Sequence, residues 1–569
     1  MVYFKRDKFA GIAPAVNPRL LGEQFGQIAE NINFESGSLV ATTSDTDVYT
    51  LQNSARRSIY FYRDTQWLEW SDEHISVVPG PIPGDTTDRL YFTGDDYPRV
   101  GTYSTLVSGA SGYPVNSYRL GVPAPSAPPS VTINGTADDT LTPSNISYVY
   151  TLVTDLGEEG PPSTASGALE KDSTQTATLS LATGSLPSGN YNFGSNAKKR
   201  IYRSNTGSTS TQFQFVAEVL YTATAYTDTL GNDDLGELLP SATWIGPPDD
   251  DASLYPDGPL RGLIPLAMGV MAGFTGKRFC LSEPFLPHAW PIEYRITTEE
   301  DIVAIASTSN GVIALTDGKP YFVTGTQPSS MTAVQVDLAQ ACINTDSVVD
   351  MGDYILYAGP DGLCAVENSQ GQVVTKGQVS VKQWNADFNP TTYRAFRHEG
   401  TYVAFDNTGT GGFVYDPRSE QSRLSTLTVA ANVRGGFRNP KDGQLYIIVG
   451  NKIKKYQGSA AHKTLTFKSK KFLTDHPLSM SWISVSADVY PVTVKVYGDG
   501  TLVAHYVLSK SGATYTQATT VPSGISDGTL REPVIRMPAI VAQEWEIQVE
   551  GTNINDFCLA QSMSEVRES

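Results

Sequence analysis

Cysteine is scarce in this chain, with Cys280, Cys342, Cys364 and Cys558 scattered through 569 residues. No C-x-x-C pair is present, so a disulfide framework is excluded and the four read as reduced, buried thiols. Histidine is also thin: His74, His288, His398, His462, His476 and His505 lie far apart, without metal-ligand spacing. There is no nucleophile elbow, phosphate loop, H-E-x-x-H or dinucleotide fingerprint, and the reading expects no enzyme, no cofactor and no metal. Positive charge is short, since 41 Lys and Arg against 59 Asp and Glu leave a net charge of −18. That balance argues against wrapping nucleic acid by phosphate neutralisation, while leaving room for nucleic acid to pass nearby. Long apolar runs are missing as well. The longest, residues 263–274, is cut by Pro265, Gly269 and Gly273 and is too short to span a bilayer. Residues 1–15 carry Lys5, Arg6 and Lys8 with no apolar core behind them, so no signal peptide and synthesis in a cytoplasm are expected.

What the chain does have is turn chemistry and β-formers: 50 Gly, 35 Pro and 29 Tyr, with hardly any uninterrupted helical pattern. Between residues 274 and 456 a small turn residue four times precedes a large apolar strand, a tight turn and a second strand. Gly311 leads residues 312–315, which turn at Asp317-Gly318. Gly352 leads 354–357, which turn at Pro360-Asp361-Gly362. Gly400 leads 402–405, turning through 408–411, and Gly443 leads 445–448, turning at Gly450-Asn451. The leading glycines stand 41, 48 and 43 residues apart. A repeat of about 40–50 residues built of short strands is the period of a β-propeller blade. Asp-Gly and Gly-Asn supply the positive φ that two-residue hairpins need. Residues 275–281 read as one blade earlier. The competing view is an ordinary antiparallel domain with coincidental spacing.

Five regions follow from this pattern. Residues 1–50 form an N-terminal segment whose apolar positions Leu20, Leu21, Phe25, Ile28 and Ala29 have helical spacing and predict one short helix. Residues 51–123 hold first propeller strands at 59–62, 67–70 and 90–92, which are expected to complete the ring. A proline linker at 123–129 opens residues 124–246, whose roughly seven short strands describe an inserted fibronectin type III-like β-sandwich. Residues 247–458 carry the main propeller part. Residues 459–569, with alternating strands at 482–488, 492–497 and 545–549, read as a separate C-terminal β domain. The fold class expected is all-β and multidomain.

Few residues suggest chemistry. Asp249-Asp250-Asp251 and Asn232-Asp233-Asp234 have oxygens for calcium, yet neither matches an alternating loop that ends in a bidentate Glu, and solvated linker acid is the better reading. No glycosidase-type carboxylate pair is singled out. The sequons at Asn134 and Asn145 carry no weight without export. One charge run stands out in this acidic chain: Lys452, Lys454, Lys455, Lys463, Lys468, Lys470 and Lys471. It reads first as a solvated strand face that blunts an edge, and second as a docking patch for an acidic partner or nucleic acid. Lys452, Lys454, Lys455, Lys468, Lys470 and Lys471 are the partner-interface candidates.

Several stretches resemble phage tail structural proteins. They are Pro18-Arg19-Leu20-Leu21 with Gln27-Ile28-Ala29-Glu30-Asn31 and Glu35-Ser36-Gly37-Ser38-Leu39, then Ser282-Glu283-Pro284-Phe285-Leu286-Pro287-His288-Ala289-Trp290-Pro291. Gln340-Ala341-Cys342 through Gly362-Leu363 and Trp482 through Tyr490-Pro491-Val492 are similar as well. The described class that comes nearest is the nozzle, or tail tubular, proteins of short-tailed phages. That resemblance implies a virion protein, made in the host cytoplasm, that forms a six-fold homo-oligomeric ring and gates the DNA exit channel. Its neighbours would be the adaptor and the fibres or spikes, with DNA passing through without sequence-specific binding. It supplies no catalytic residues. A receptor- or carbohydrate-binding tail component is the alternative, and a glycan depolymerase the third.

Overall fold

The computed structural model describes residues 2–109, 112–181, 189–206, 211–419, 424–511, 514–521, 528–530 and 534–568. Among these, strand dominates, and the α-helices are three short ones, Tyr103–Leu106, Val381–Asp387 and Met563–Glu568. The chain divides into two compact units, residues 62–335 and residues 1–61 with 336–569.

The 62–335 unit contains a run of four-stranded antiparallel sheets. One is Tyr118–Arg119, Arg99–Gly101, Leu90–Thr93 and Ser76–Pro79 in spatial order. A second runs Arg261–Pro265, Met271–Thr275, Arg278–Leu281 and Ile296–Thr297, and a third runs Ile302–Thr308, Gly311–Thr316, Tyr321–Thr324 and Thr332–Gln335. Their inner strands are covered on both faces, so Met271–Thr275 is buried at every position. That is why such strands read as continuous apolar runs, while the outer strand Thr332–Gln335 is mostly exposed and polar. Phe274, Phe279, Leu281, Ile305, Val312 and Val323 form the core shared by the second and third sheets.

Between the first and second sheets lies the 130–228 insertion. Ser130–Asn134, Thr176–Ser180 and Ala225–Asp228 make one three-stranded sheet, and Tyr148–Val153, Lys198–Thr206 and Thr211–Leu220 make another. The two share a core that includes Tyr148, Tyr150, Leu152, Leu179 and Ile201. Ser144–Ile146 pairs with Leu169–Lys171 beside them.

The other unit holds the remaining three expected hairpins, each again in its own sheet. Val349–Asp350, Ile355–Gly359, Gly362–Glu367 and Gln370–Val373 form a four-stranded sheet in chain order. Arg394–His398, Thr401–Phe405, Gly411–Tyr415 and Leu424–Thr428 begin a 12-stranded sheet. Val433–Arg438, Leu445–Val449 and Lys452–Lys455 make three strands of the last four-stranded sheet. Its fourth strand comes from the other end of the chain: Thr46–Thr50 pairs antiparallel with Lys452–Lys455, with Ile453 opposite Tyr49. The strands expected to complete the ring were those at 59–62, 67–70 and 90–92, of which Leu90–Thr93 lies in the first four-stranded sheet above. The strand that completes the last sheet is the largely exposed Thr46–Thr50, whose polar sequence carries no strand signal.

Two further expectations are corrected. Residues 18–31 are not helical: Gly26–Glu30 is a strand, antiparallel to Leu465–Ser469, with Ala29 opposite Phe467. Leu20 is 77% exposed while Ala29 is fully buried, so the apolar positions do not share one face. Gly22 and Gly26 weaken a helix, and the pairing groups of Leu465–Ser469 offer the backbone a better alternative. Residues 459–569 do not stand apart either. Through Gly26–Glu30 the 12-stranded sheet continues into Leu465–Ser469, Val541–Gly551, Val492–Gly498 and Thr501–Ser511. A second, six-stranded sheet joins Tyr3–Arg6, Ile32–Asn33 and Leu39–Ala41 to Trp482–Val489 and Asn553–Ala560. A single core containing Leu356, Trp384, Tyr402, Phe467, Val494 and Ile547 runs beneath all of them. Val492–Gly498 alternates between buried and half-buried positions, as its sequence predicts. Its three buried valines contribute roughly 1.5–3 kcal/mol each relative to exposure.

Candidate functional site

The lysine cluster is mostly consumed inside the protein. Lys452 donates to the Thr50 hydroxyl at 2.6 Å, and Lys454 pairs with Asp47 at 2.5 Å, so both fasten the Thr46–Thr50 strand. Lys468 pairs at 2.5 Å with Glu546, a carboxylate only 2% exposed, and lies 4.4 Å from the Tyr497 ring centre. Lys471 reaches the same Glu546 at 3.3 Å and Glu544 at 3.4 Å. Lys463 donates to the Thr428 carbonyl at 2.8 Å. Only Lys455 and Lys470 of the candidates have no side-chain partner among the described residues. The feature is therefore not one continuous basic face: two of its members hold a strand, two neutralise a buried acid, and two are left for solvent or a partner.

Most members of the acidic runs are accounted for in the same way. The Arg119 guanidinium binds Asp250 at 2.6 Å and Asp249 at 3.3 Å, and Asp251 accepts from the Ser253 amide at 2.9 Å. Asn232 accepts from Arg203 at 3.2 Å, and Asp234 from the Gly231 amide at 3.2 Å. Among the described residues no group of His, Cys, Asp or Glu is arranged to hold a metal ion. All four cysteines are free and buried, and burial pushes the Cys280 thiol up to about 12.

Two histidines are buried. His288 lies against Trp244, ring centres 6.0 Å apart, and burial lowers its pKa to about 4. His398, 6% exposed, closes the strand Arg394–His398 just before the Glu399-Gly400 turn. Both turn residues have positive φ, 46° and 80°, and the tight reversal brings the ring against the edge of Tyr456 at 5.0 Å. This ring lines a cleft of about 380 Å³ whose other walls include Phe34, Glu35, Glu399, Val414, Asp416 and Arg418. Arg418 is held by both oxygens of Asp416, at 2.9 and 3.0 Å, with Glu35 at 3.8 Å. Those contacts keep the guanidinium charged, above its ordinary value. Sequence reading passed over these residues, because nothing local marks residues 34–42 as neighbours of 398–418. A second cleft of similar volume in the 62–335 unit is lined by Leu266, Met268, Val270, Pro284, Pro328 and Met331.

No known family matches the sequence, and no curated protein matches it. Among solved structures the chain is similar to a streptogramin B lyase, at 8% identity and a TM-score of 0.28, covering 72% of this chain and 96% of that one. It is also similar to the extracellular domain of a hybrid two component system from B. thetaiotaomicron, at 8% identity and a TM-score of 0.21. That match covers 86% of this chain and 47% of the other, so the chain spans about half the length of that protein. At these scores neither neighbour transfers an activity to this chain.

Proposed function

We propose that this chain is a structural protein of a phage tail, a nozzle subunit that assembles into a closed homo-oligomeric ring and conducts DNA during ejection. The observation that carries the reading is the succession of small antiparallel sheets, the last of them completed by Thr46–Thr50. A strand from one end of the chain that fills the sheet at the other is how a β-propeller avoids an open seam. The repeat spacing and the two-sheet 130–228 insertion, read as fibronectin type III-like, support the same architecture. The resemblance of the 18–39, 282–291 and 482–492 stretches to tail proteins supports the nozzle role.

Charge is consistent with a conduit. At −18 the chain has little capacity to hold phosphate, and an acidic wall repels the duplex over about 8 Å at physiological salt. A ring built from identical copies uses heterologous interfaces that close. The test is direct: the purified chain, and the intact particle, are imaged by electron cryomicroscopy. A six-fold ring on the tail axis with an acid-lined lumen is expected. A peripheral monomer that binds host glycan would replace this reading with a receptor-binding one, and a lumen lined by Lys455 and Lys470 would overturn the conduit argument. Reproducible glycan release by the purified chain would point to an enzyme instead.

A further inference from the structure

We propose that the cleft beside His398 is a binding pocket for a neutral saccharide unit. This inference stands apart from the tail-conduit reading and does not depend on it. The cleft holds about 380 Å³, within the range of small-ligand sites and ample for one pyranose ring. Phe34, Val403 and Val414 give it an apolar wall suited to the C–H face of a sugar. The same lining includes the carboxylates of Glu35 and Asp416, which accept hydrogen bonds, and the Arg418 guanidinium paired with both. The three carboxylates Glu35, Glu399 and Asp416 outnumber the one guanidinium of Arg418, so the site disfavours an anion while offering acceptors and donors side by side. Hydroxyl groups, each both donor and acceptor, match that arrangement.

His398 is the second observation. Its Nδ1 and Nε2 are both buried without a hydrogen-bond partner. A buried polar group left unpaired costs about 1–3 kcal/mol, so a histidine that served packing alone would be improved by phenylalanine. Burial lowers the pKa of the ring and Arg438 lowers it further, outweighing Glu399 and Asp45. The neutral ring then presents one N–H and one lone pair, a complement to two neighbouring sugar hydroxyls. The backbone around it is fixed: the Thr401 hydroxyl donates to the His398 carbonyl at 2.7 Å, and Tyr456 braces the ring edge-on.

The experiment uses the full chain and saturation-transfer NMR with methyl α-glucopyranoside, methyl α-galactopyranoside and N-acetylglucosamine. At least one probe is expected to bind with Kd of about 1 mM or tighter. His398→Phe keeps the aromatic ring and removes both nitrogens, and Thr42→Trp fills the cleft from its loop wall while leaving the imidazole in place. Each should weaken binding by about tenfold or more, with the fold checked by circular dichroism. No binding by any of the three probes, or wild-type affinity in either folded variant, overturns the proposal. A His398→Phe chain that is more stable and binds unchanged would assign the ring to packing alone.

Discussion

The 130–228 sheets and the 465–560 strands are both antiparallel and both buried at their centres, yet they are held by different chemistry. At the heart of the first lies a salt bridge with no exposure on either side: Arg203 donates to Asp228 at 2.6 Å. Asp228 also accepts from the Tyr148 hydroxyl at 2.7 Å, and Arg203 donates to the Leu230 and Gly231 carbonyls at 3.0 and 2.8 Å. Close by, Glu159 accepts from Arg200, Tyr202 and Thr151 at 2.7–2.8 Å. The second region buries Val494, Val496, Leu508, Ile547 and Val549, leaves the pair of Lys495 with Glu550 half-buried, and buries one carboxylate, Glu546, paired with Lys468 and Lys471. A small body with few apolar residues to bury uses a buried polar network, satisfied at its core except for the Arg203 Nε, to define its packing. A large one relies on area. The two should fail differently.

Asp228→Ala should have the largest effect, about 3–5 kcal/mol, because it strands the Arg203 charge in the core. In a chain this long, unfolding need not be two-state, so loss of amide protection over 148–228 is the appropriate measurement. The paired replacement Arg203→Met with Asp228→Leu should restore most of that protection. Equal loss in the single and paired variants would break the comparison, since it would mean the ion pair itself carries the stability.

In the apolar region Ile547→Ala should cost about 2–5 kcal/mol and Ile547→Val only about 0.5–1.5, a graded response to lost volume. Protection of the 492–498 and 541–551 amides reads it. A similar cost for both substitutions would point to a loosely packed core.

A smaller effect is tied to pH. Burial alone would raise the Glu546 carboxylate, but hydrogen bonds from Lys468 and Gln27 outweigh it and hold the group below its ordinary value of 4.5. A depressed carboxylate adds stability that is complete above its unfolded pKa and is lost as pH falls through the folded one. The 465–551 strands should therefore weaken below about pH 4.5, and Lys468→Ala should flatten that slope in acid titrations followed by circular dichroism. The smallest effect is expected at Lys455→Ala and Lys470→Ala, within about 0.5 kcal/mol of wild type. If these two are partner contacts, the same variants should reduce assembly by size-exclusion chromatography while leaving the melting curve in place.

The hairpins were legible because their signals are local. Asp317-Gly318, Asp361-Gly362 and Gly450-Asn451 each specify a reversal within a few residues, and the flanking apolar runs announce strands buried on both faces. What was not legible depends on partners far along the chain. Gly26–Glu30 shows helical spacing in isolation and becomes a strand because Leu465–Ser469 is waiting for it. Thr46–Thr50 looks like a polar loop until Lys452–Lys455 is placed beside it. The lysine run drew notice as charge density, but the acids that neutralise it, Asp47, Glu544 and Glu546, come from both sides of the run and from distances no window covers. The cleft at His398 escaped for the same reason.

The Thr46–Thr50 pairing also sets a schedule. Lys452 and Thr50 are 402 residues apart, so the ribosome delivers one side of that sheet long before the other. At ~5–20 residues per second, the early strand waits roughly 20–80 s for its partner. Throughout that interval the nascent chain has its beginning in hand and no place to put it. Its exposed, threonine- and aspartate-bearing sequence is a safe thing to leave idle in a crowded cell, where a hydrophobic edge would recruit the wrong neighbour. A circular permutant opened after Thr50 would place that strand behind residue 569, fewer residues from Lys452–Lys455 than in the natural order, and refolding after dilution from denaturant should then proceed faster.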